Sequence, residues 1–164
     1  MATLRVEPGF DQDRSLATDA ASRLSPDLSK VLVVGQSQIN RIVVCKIVER
    51  SGLKPVSETP VTAVRVLPLM FPGLVILDGG PDNSDCDAVI SGIAALRRVA
   101  GKKLPAAILL STRSGDPASL ALAEAIDAVV TKPFTTDQLQ PVVERLLSAA
   151  READPQEATA SKQR

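Results

Sequence analysis

Three residues of this chain have the types and spacing that could do chemistry: Asp78, Ser111 and Lys132. Asp78 ends the apolar run Leu74-Val75-Ile76-Leu77, Ser111 ends the run from Ala106 to Leu110, and Lys132 lies in Thr131-Lys132-Pro133-Phe134. An acid, a hydroxyl and a lysine at the ends of three consecutive strands are what a site receiving a phosphoryl group needs, because such a site works by positioning and charge compensation. The first apolar run leads into Gly35-Gln36 and so adds no acidic side chain beside them. That glycine precedes a helix, but Gly35-Gln36-Ser37-Gln38 has neither G-x-x-x-x-G-K-[ST] nor G-x-G-x-x-G, so it is not a nucleotide loop. Ser37 reads as a helix N-cap.

Composition narrows the chemistry further. Lys plus Arg equals Asp plus Glu at 19 each, so no basic excess drives binding to nucleic acid or to a membrane. Aromatic residues are 2% of the chain, with no Trp or Tyr, which leaves almost nothing on which bases could stack. Histidine is absent. That removes histidine metal sites, Ser-His-Asp triads and phosphohistidine transfer by this chain. Cys45 and Cys86 lack metal or redox spacing and read as small packing residues in helices. Met1 to Asp13 has no apolar stretch of signal-peptide type, and no run is long enough to span a bilayer. A cytoplasmic protein is the expectation.

The 164 residues divide by pattern into a disordered extension over 1–29, a folded region over 30–149 and a flexible tail over 150–164. A short helix is conceivable around Leu16 to Leu24. In the folded region, strand and helix patterns alternate five times. Val31 to Val34 and Leu74 to Leu77 are continuous apolar runs, as in strands buried on both faces. Leu53 to Glu58 contains Pro55, which removes a ladder donor and marks an edge strand. Helices are expected from Ser37 to Ser51, from Pro60 to Leu67, from Asp85 to Ala100 and from Asp116-Pro117 to Ile126. A last helix is capped by Thr135 and Gln138, with its apolar stripe on Leu139, Val142, Val143, Leu146 and Leu147. Pro141 should kink its second turn. Such alternation implies an α/β, doubly wound, five-stranded parallel sheet of flavodoxin-like form, with strand order 2-1-3-4-5 and helices on both faces. The crevice of such a sheet lies at the carboxyl ends of its strands, where Asp78, Ser111 and Lys132 fall.

The order of elements, Leu-Val-Ile-Leu-Asp78, the Ser111 strand end and Thr131-Lys132-Pro133-Phe134 resemble the receiver domain of bacterial response regulators, over about Lys30 to Ser148. The resemblance implies that Asp78 is the phosphoacceptor, with Ser111 and Lys132 contacting the phosphoryl group. The segment from Ser111 to Lys132 is about one residue short, which makes Leu110 a competing match for the hydroxyl position. It further implies a cis peptide bond before Pro133, a switch position at Val129, and a Mg²⁺ ligand set of Asp78, the Gly80 carbonyl and an acidic pair. Here Gly35 and Gln36 replace that pair, as in atypical or pseudo-receivers. Two carboxylates fewer should weaken Mg²⁺ binding by roughly one to three orders of magnitude. Asp82 and Asp85 lie in the next loop, where a solvated or helix-start role is the default. A direct Asp78–Lys132 pair would occupy the lysine before any phosphate arrived.

Two functional readings follow from the resemblance. The first is a stand-alone atypical receiver-like protein of a two-component or phosphorelay system, acting through protein–protein contacts with weakened phosphoacceptor chemistry. The alternative is a functional single-domain response regulator phosphorylated on Asp78 by a histidine kinase or phosphotransfer protein. Neither is an enzyme beyond self-catalysed phosphoryl acceptance. The implied partners are a histidine kinase, a phosphotransfer protein or a downstream signalling protein, with no nucleic acid or membrane, and the chain as a monomer or weak homodimer. In the first helix Ile39, Ile42, Val43, Val44, Cys45, Ile47 and Val48 make a wide apolar stripe. It serves either packing between sheet and last helix or docking of a partner. Arg97, Arg98, Lys102 and Lys103 read as a solvated helix end that complements the helix dipole.

Overall fold

A computed structural model describes residues 25–80, 84–113, 115, 117 and 122–153. The readings that fall on 1–24 and 154–164, including the helix around Leu16, and on Asp82 lie outside the described residues. Five parallel strands form one sheet in the order β2-β1-β3-β4-β5. They are β1 (Asp27–Gly35), β2 (Lys54–Glu58), β3 (Pro72–Asp78), β4 (Ala106–Ser111) and β5 (Ala128–Thr131). The helices are α1 (Gln38–Arg50), α2 (Pro60–Met70), α3 (Asp87–Ala100) and α4 (Thr136–Ala153). A single 3-10 turn, Ser84–Cys86, precedes α3.

The central strands are apolar because both of their faces are covered. Every residue of β3 and β4 is buried, as are Val31 to Gly35 at the end of β1. Full burial of one such Leu, Ile or Val contributes about 1.5–3 kcal/mol. Pro55 pairs with Val31 on one side only, at the sheet edge where its missing N–H costs nothing. Helices α1 and α4 pack together on one side of the sheet, α2 and α3 against each other. Leu139, Val143, Leu147 and Ala150 of α4 are buried, with Val142 and Leu146 partly so.

Several expected boundaries move. β1 begins at Asp27, three residues ahead of the expected folded region, because Leu28 is buried and the Asp27 N–H donates to the Phe71 carbonyl. A Cβ on Gly73 would lie 2.7 Å from the Leu28 Cα, so glycine permits this close approach of the two strand starts. α2 runs on through Pro68 to Met70 and ends where Phe71 takes a left-handed φ of 39°. α4 is likewise continuous through Pro141, where a kink was expected. The helix expected from Asp116 to Ile126 falls partly on undescribed residues. Its described part, 122–127, is made of turns in which the Ala125 and Ile126 N–H groups donate to the Leu122 carbonyl.

Arg97 braces that region, so it is not the solvated side chain expected at a helix end. Its guanidinium donates to the carbonyls of Pro105 and Glu124 and pairs with Asp127 Oδ2 at 2.7 Å. The same carboxylate oxygen accepts the Ala107 N–H at 2.8 Å. Cys86 is fully buried, and burial first, then the negative charges of Asp85, Asp78 and Asp87, push its thiol up to about 12. Burial also raises the partly exposed Cys45 thiol.

Asp127→Ala strands the Ala107 N–H and removes the counter-ion of Arg97, and urea unfolding should show a loss of about 1–3 kcal/mol. A thiol reagent at pH 8 should leave Cys86 unmodified until the protein is unfolded. The unfolded thiol ionises near 9.0 and the folded one near 12, so Cys86 costs no stability below pH 9 and lowers it as pH rises from 9 toward 12.

Candidate functional site

The sheet delivers Asp78 and Lys132 to one point. Asp78 is the last residue of β3 and is 7% exposed. Lys132 follows β5 and reaches back across the strand ends. Its Nζ donates to Asp78 Oδ1 at 2.7 Å and to the Gly79 carbonyl at 2.6 Å. The Lys132–Pro133 bond is cis, as the resemblance implied, and Leu104–Pro105 is a second cis bond. The other carboxylate oxygen, Asp78 Oδ2, accepts Asn40 Nδ2 of α1 at 3.0 Å. The acid is thus tied on one side to the β5–α4 connection and on the other to the first turn of α1.

Gly35 is Asp78's register partner across β1 and β3. A Cβ placed on Gly35 would sit 3.0 Å from Asp78 Cβ and 3.4 Å from its Oδ2. The Asp78 side chain therefore uses the space that a side chain at 35 would need. Gln36, the other residue in the place of the acidic pair, is exposed. Arg41 holds this end of β1 by donating to the Gly35 carbonyl, while its Nε donates to Ser57 Oγ of β2 at 2.8 Å.

Leu110, the competing match, is the residue in register with Asp78, and Ser111 pairs with Thr131. The Ser111 side chain is fully buried and its Oγ accepts the Arg113 N–H at 3.0 Å. The wall of the crevice is formed by Leu110 and Thr112 instead. Val129 pairs with Leu109 and is half-buried against the core. At the Gly80 position the N–H donates to Asp85 Oδ1 at 2.9 Å, so Asp85 closes its own loop. The Cys86 thiol lies 3.9 Å from the Asp78 carbonyl. Among the described residues, no three His, Cys, Asp or Glu side chains gather as a metal site.

Sequence reasoning found Asp78, Lys132 and the cis bond but missed Asn40 and Arg41. One signal was available: Asn40 and Arg41 interrupt the apolar stripe of α1 in its first turn, directly above the strand ends. That stripe is only partly used for packing. Val44, Ile47 and Val48 are buried, whereas Ile42 and Val43 are about half exposed and Ile39 is 74% exposed. No helix among the described residues is long and apolar enough to cross a membrane.

No protein-family model matches the sequence, and no curated protein matches it. Solved structures do match. A signal receiver domain from Vibrio parahaemolyticus is 24% identical, with a TM-score of 0.64, covering 78% of this chain and 96% of its own. The signal receiver domain of a signal transduction histidine kinase from Syntrophus aciditrophicus is 25% identical, with a TM-score of 0.62, covering 77% of this chain and 96% of its own. The receiver domain of a sensor histidine kinase from Pseudomonas aeruginosa PAO1, solved with a magnesium ion coordinated in its active-site cleft, is 20% identical with a TM-score of 0.58, covering 74% of this chain and 99% of its own. With its five-stranded parallel sheet in the order β2-β1-β3-β4-β5 and its helices, the chain has the fold of the response regulator receiver domain.

Proposed function

We propose that this chain is a receiver-like signalling protein of a two-component or phosphorelay system. It works through protein contacts, with its phosphoacceptor crevice held shut by its own side chains. The observation that carries this reading is the Asp78 carboxylate, bonded by Lys132 on one oxygen and Asn40 on the other, beside a Gly35 that offers no ligand. A phosphoryl donor approaches a carboxylate as one anion approaches another, and the reaction needs cations to offset that charge. In this crevice the lysine is already committed, the second oxygen is capped, and the residues in the place of the acidic pair supply no charge. Mg²⁺ prefers a near-octahedral cage of oxygens, and this donor set does not fit one.

The exposed end of α1, with Ile39, Ile42 and Val43 beside the crevice, is the surface through which such a protein meets a histidine kinase, a phosphotransfer protein or a downstream partner. We place the protein in the cytoplasm on the same reading.

The test is an amide NMR titration with Mg²⁺ and then with beryllofluoride, a phosphoryl mimic. The spectrum should stay unchanged at millimolar Mg²⁺ and on addition of the mimic. Shifts spreading from Asp78 along β4 and β5 would contradict the reading and restore phosphorylation on Asp78. A second expectation concerns the glycine. Gly35→Asp should cost about 1–3 kcal/mol in urea unfolding without metal, because its Cβ enters space used by Asp78. Mg²⁺ should return part of that loss, since the new carboxylate completes a ligand pair with Asp78. An unchanged unfolding midpoint in the variant would show that the space beside Asp78 is not limiting.

A further inference from the structure

Beside the Asp78–Lys132 pair the crevice widens into a cavity of about 470 Å³. Val43 and Val44 of α1, Leu110 at the end of β4 and Phe134 after the cis proline form its apolar walls, and Asn40, Asp78, Thr112 and Lys132 supply its polar groups. We propose that this cavity binds a small uncharged molecule with a flat apolar body and one terminal carboxamide-type head. The inference rests on the closed crevice argued above.

Size and lining set the body of the ligand. Small-molecule sites are concavities of roughly 300–1,000 Å³, mostly apolar, with a few polar groups that fix orientation. This cavity has that form, and Phe134 supplies one of the three aromatic rings in the whole chain. Charge sets the head. Asp78 and Lys132 neutralise each other at 2.7 Å, so a charged ligand would lose its hydration without gaining a counter-ion. Besides the Thr112 hydroxyl on the wall, Lys132 and Asn40 offer hydrogen-bonding positions beside that pair. Lys132 Nζ gives two of its three protons to Asp78 and Gly79, and among the described residues no donor reaches Asn40 Oδ1. One donor and one acceptor, both from residues that line the cavity and bind the same carboxylate, match a carboxamide whose oxygen accepts from Lys132 and whose N–H donates to Asn40. A ligand so seated joins α1 to the β5–α4 connection next to the exposed Ile39 and Ile42, so its occupancy alters the face offered to a partner. It would serve as the input that phosphorylation serves elsewhere.

The test uses the full chain and three matched probes: indole-3-carboxamide, indole-3-carboxylate and 3-methylindole. Binding is read from the methyl resonances of Val43, Val44 and Leu110, with a parallel sample receiving Mg²⁺ and beryllofluoride. The carboxamide should bind with a Kd on the order of 1 mM or tighter, roughly tenfold better than either analogue. Asn40→Ala, with its fold checked by its amide spectrum, should bring the carboxamide and 3-methylindole to near parity. If the protein refuses beryllofluoride yet binds none of the probes, or prefers the carboxylate or the hydrocarbon, the ligand proposal falls and the closed crevice stands. If the protein takes beryllofluoride, the closed crevice itself falls, and the uncharged ligand with it.

Discussion

A carboxylate at the edge of a buried sheet must have partners, and the partners of Asp78 decide what this protein can do. Its two oxygens are held by an ammonium at 2.7 Å and an amide at 3.0 Å. Both donors come from elements far apart in sequence, so the acid works as a tie between α1 and the β5–α4 connection. Removing one member of such a pair typically leaves an uncompensated charge, which destabilises far more than the intact pair stabilises. The arrangement is self-sufficient: it satisfies the acid without metal or phosphate.

The rest of the fold supplies that geometry. Strands β3 and β4 are buried and apolar up to their last residues, Asp78 and Ser111, and β1 is buried and apolar from Val31 to Gly35. Parallel pairing then fixes which residues meet, with Gly35 beside Asp78 and Leu110 on its other side. A glycine and a leucine flank the acid, and neither has a side chain that could serve as a ligand. Leu110 also lines the cavity beside the pair, together with Val43, Val44 and Phe134.

Much of this was legible in the sequence, and the failures have physical causes. The sheet and its order follow from continuous apolar runs and from Pro55, whose missing donor is tolerated only at an edge. Asp78 and Lys132 were visible because strand-end polar residues stand out against apolar strands. Spacing alone left Leu110 and Ser111 both open for the hydroxyl position, because register is set by strand pairing between segments far apart in the chain, and the structure puts Leu110 in register with Asp78. Asn40 was hidden among the polar residues of the first turn of α1, Gln38 and Arg41 beside it, and its contact with Asp78 spans 38 residues. The extra strand residues at Asp27 to Ser29 were missed because Asp27 and Ser29 are polar. They join the sheet through the Phe71 carbonyl and the space above Gly73. The segment before β5 carries a helix-start signal at Asp116-Pro117, yet residues 122–127 form turns tied down by Arg97 and Asp127, a long-range brace that local propensity does not report.

The central claim is that Lys132 is committed to Asp78 in the resting protein, and the Lys132 ammonium resonance reports on it directly. In a ¹⁵N-labelled sample that signal should be visible, slow to exchange with water, and scalar-coupled across the hydrogen bond to the Asp78 carboxyl carbon, with no change when millimolar Mg²⁺ is added. An ammonium signal lost to rapid exchange, together with an Asp78 carboxyl resonance that moves with Mg²⁺, would show an open crevice and contradict the account.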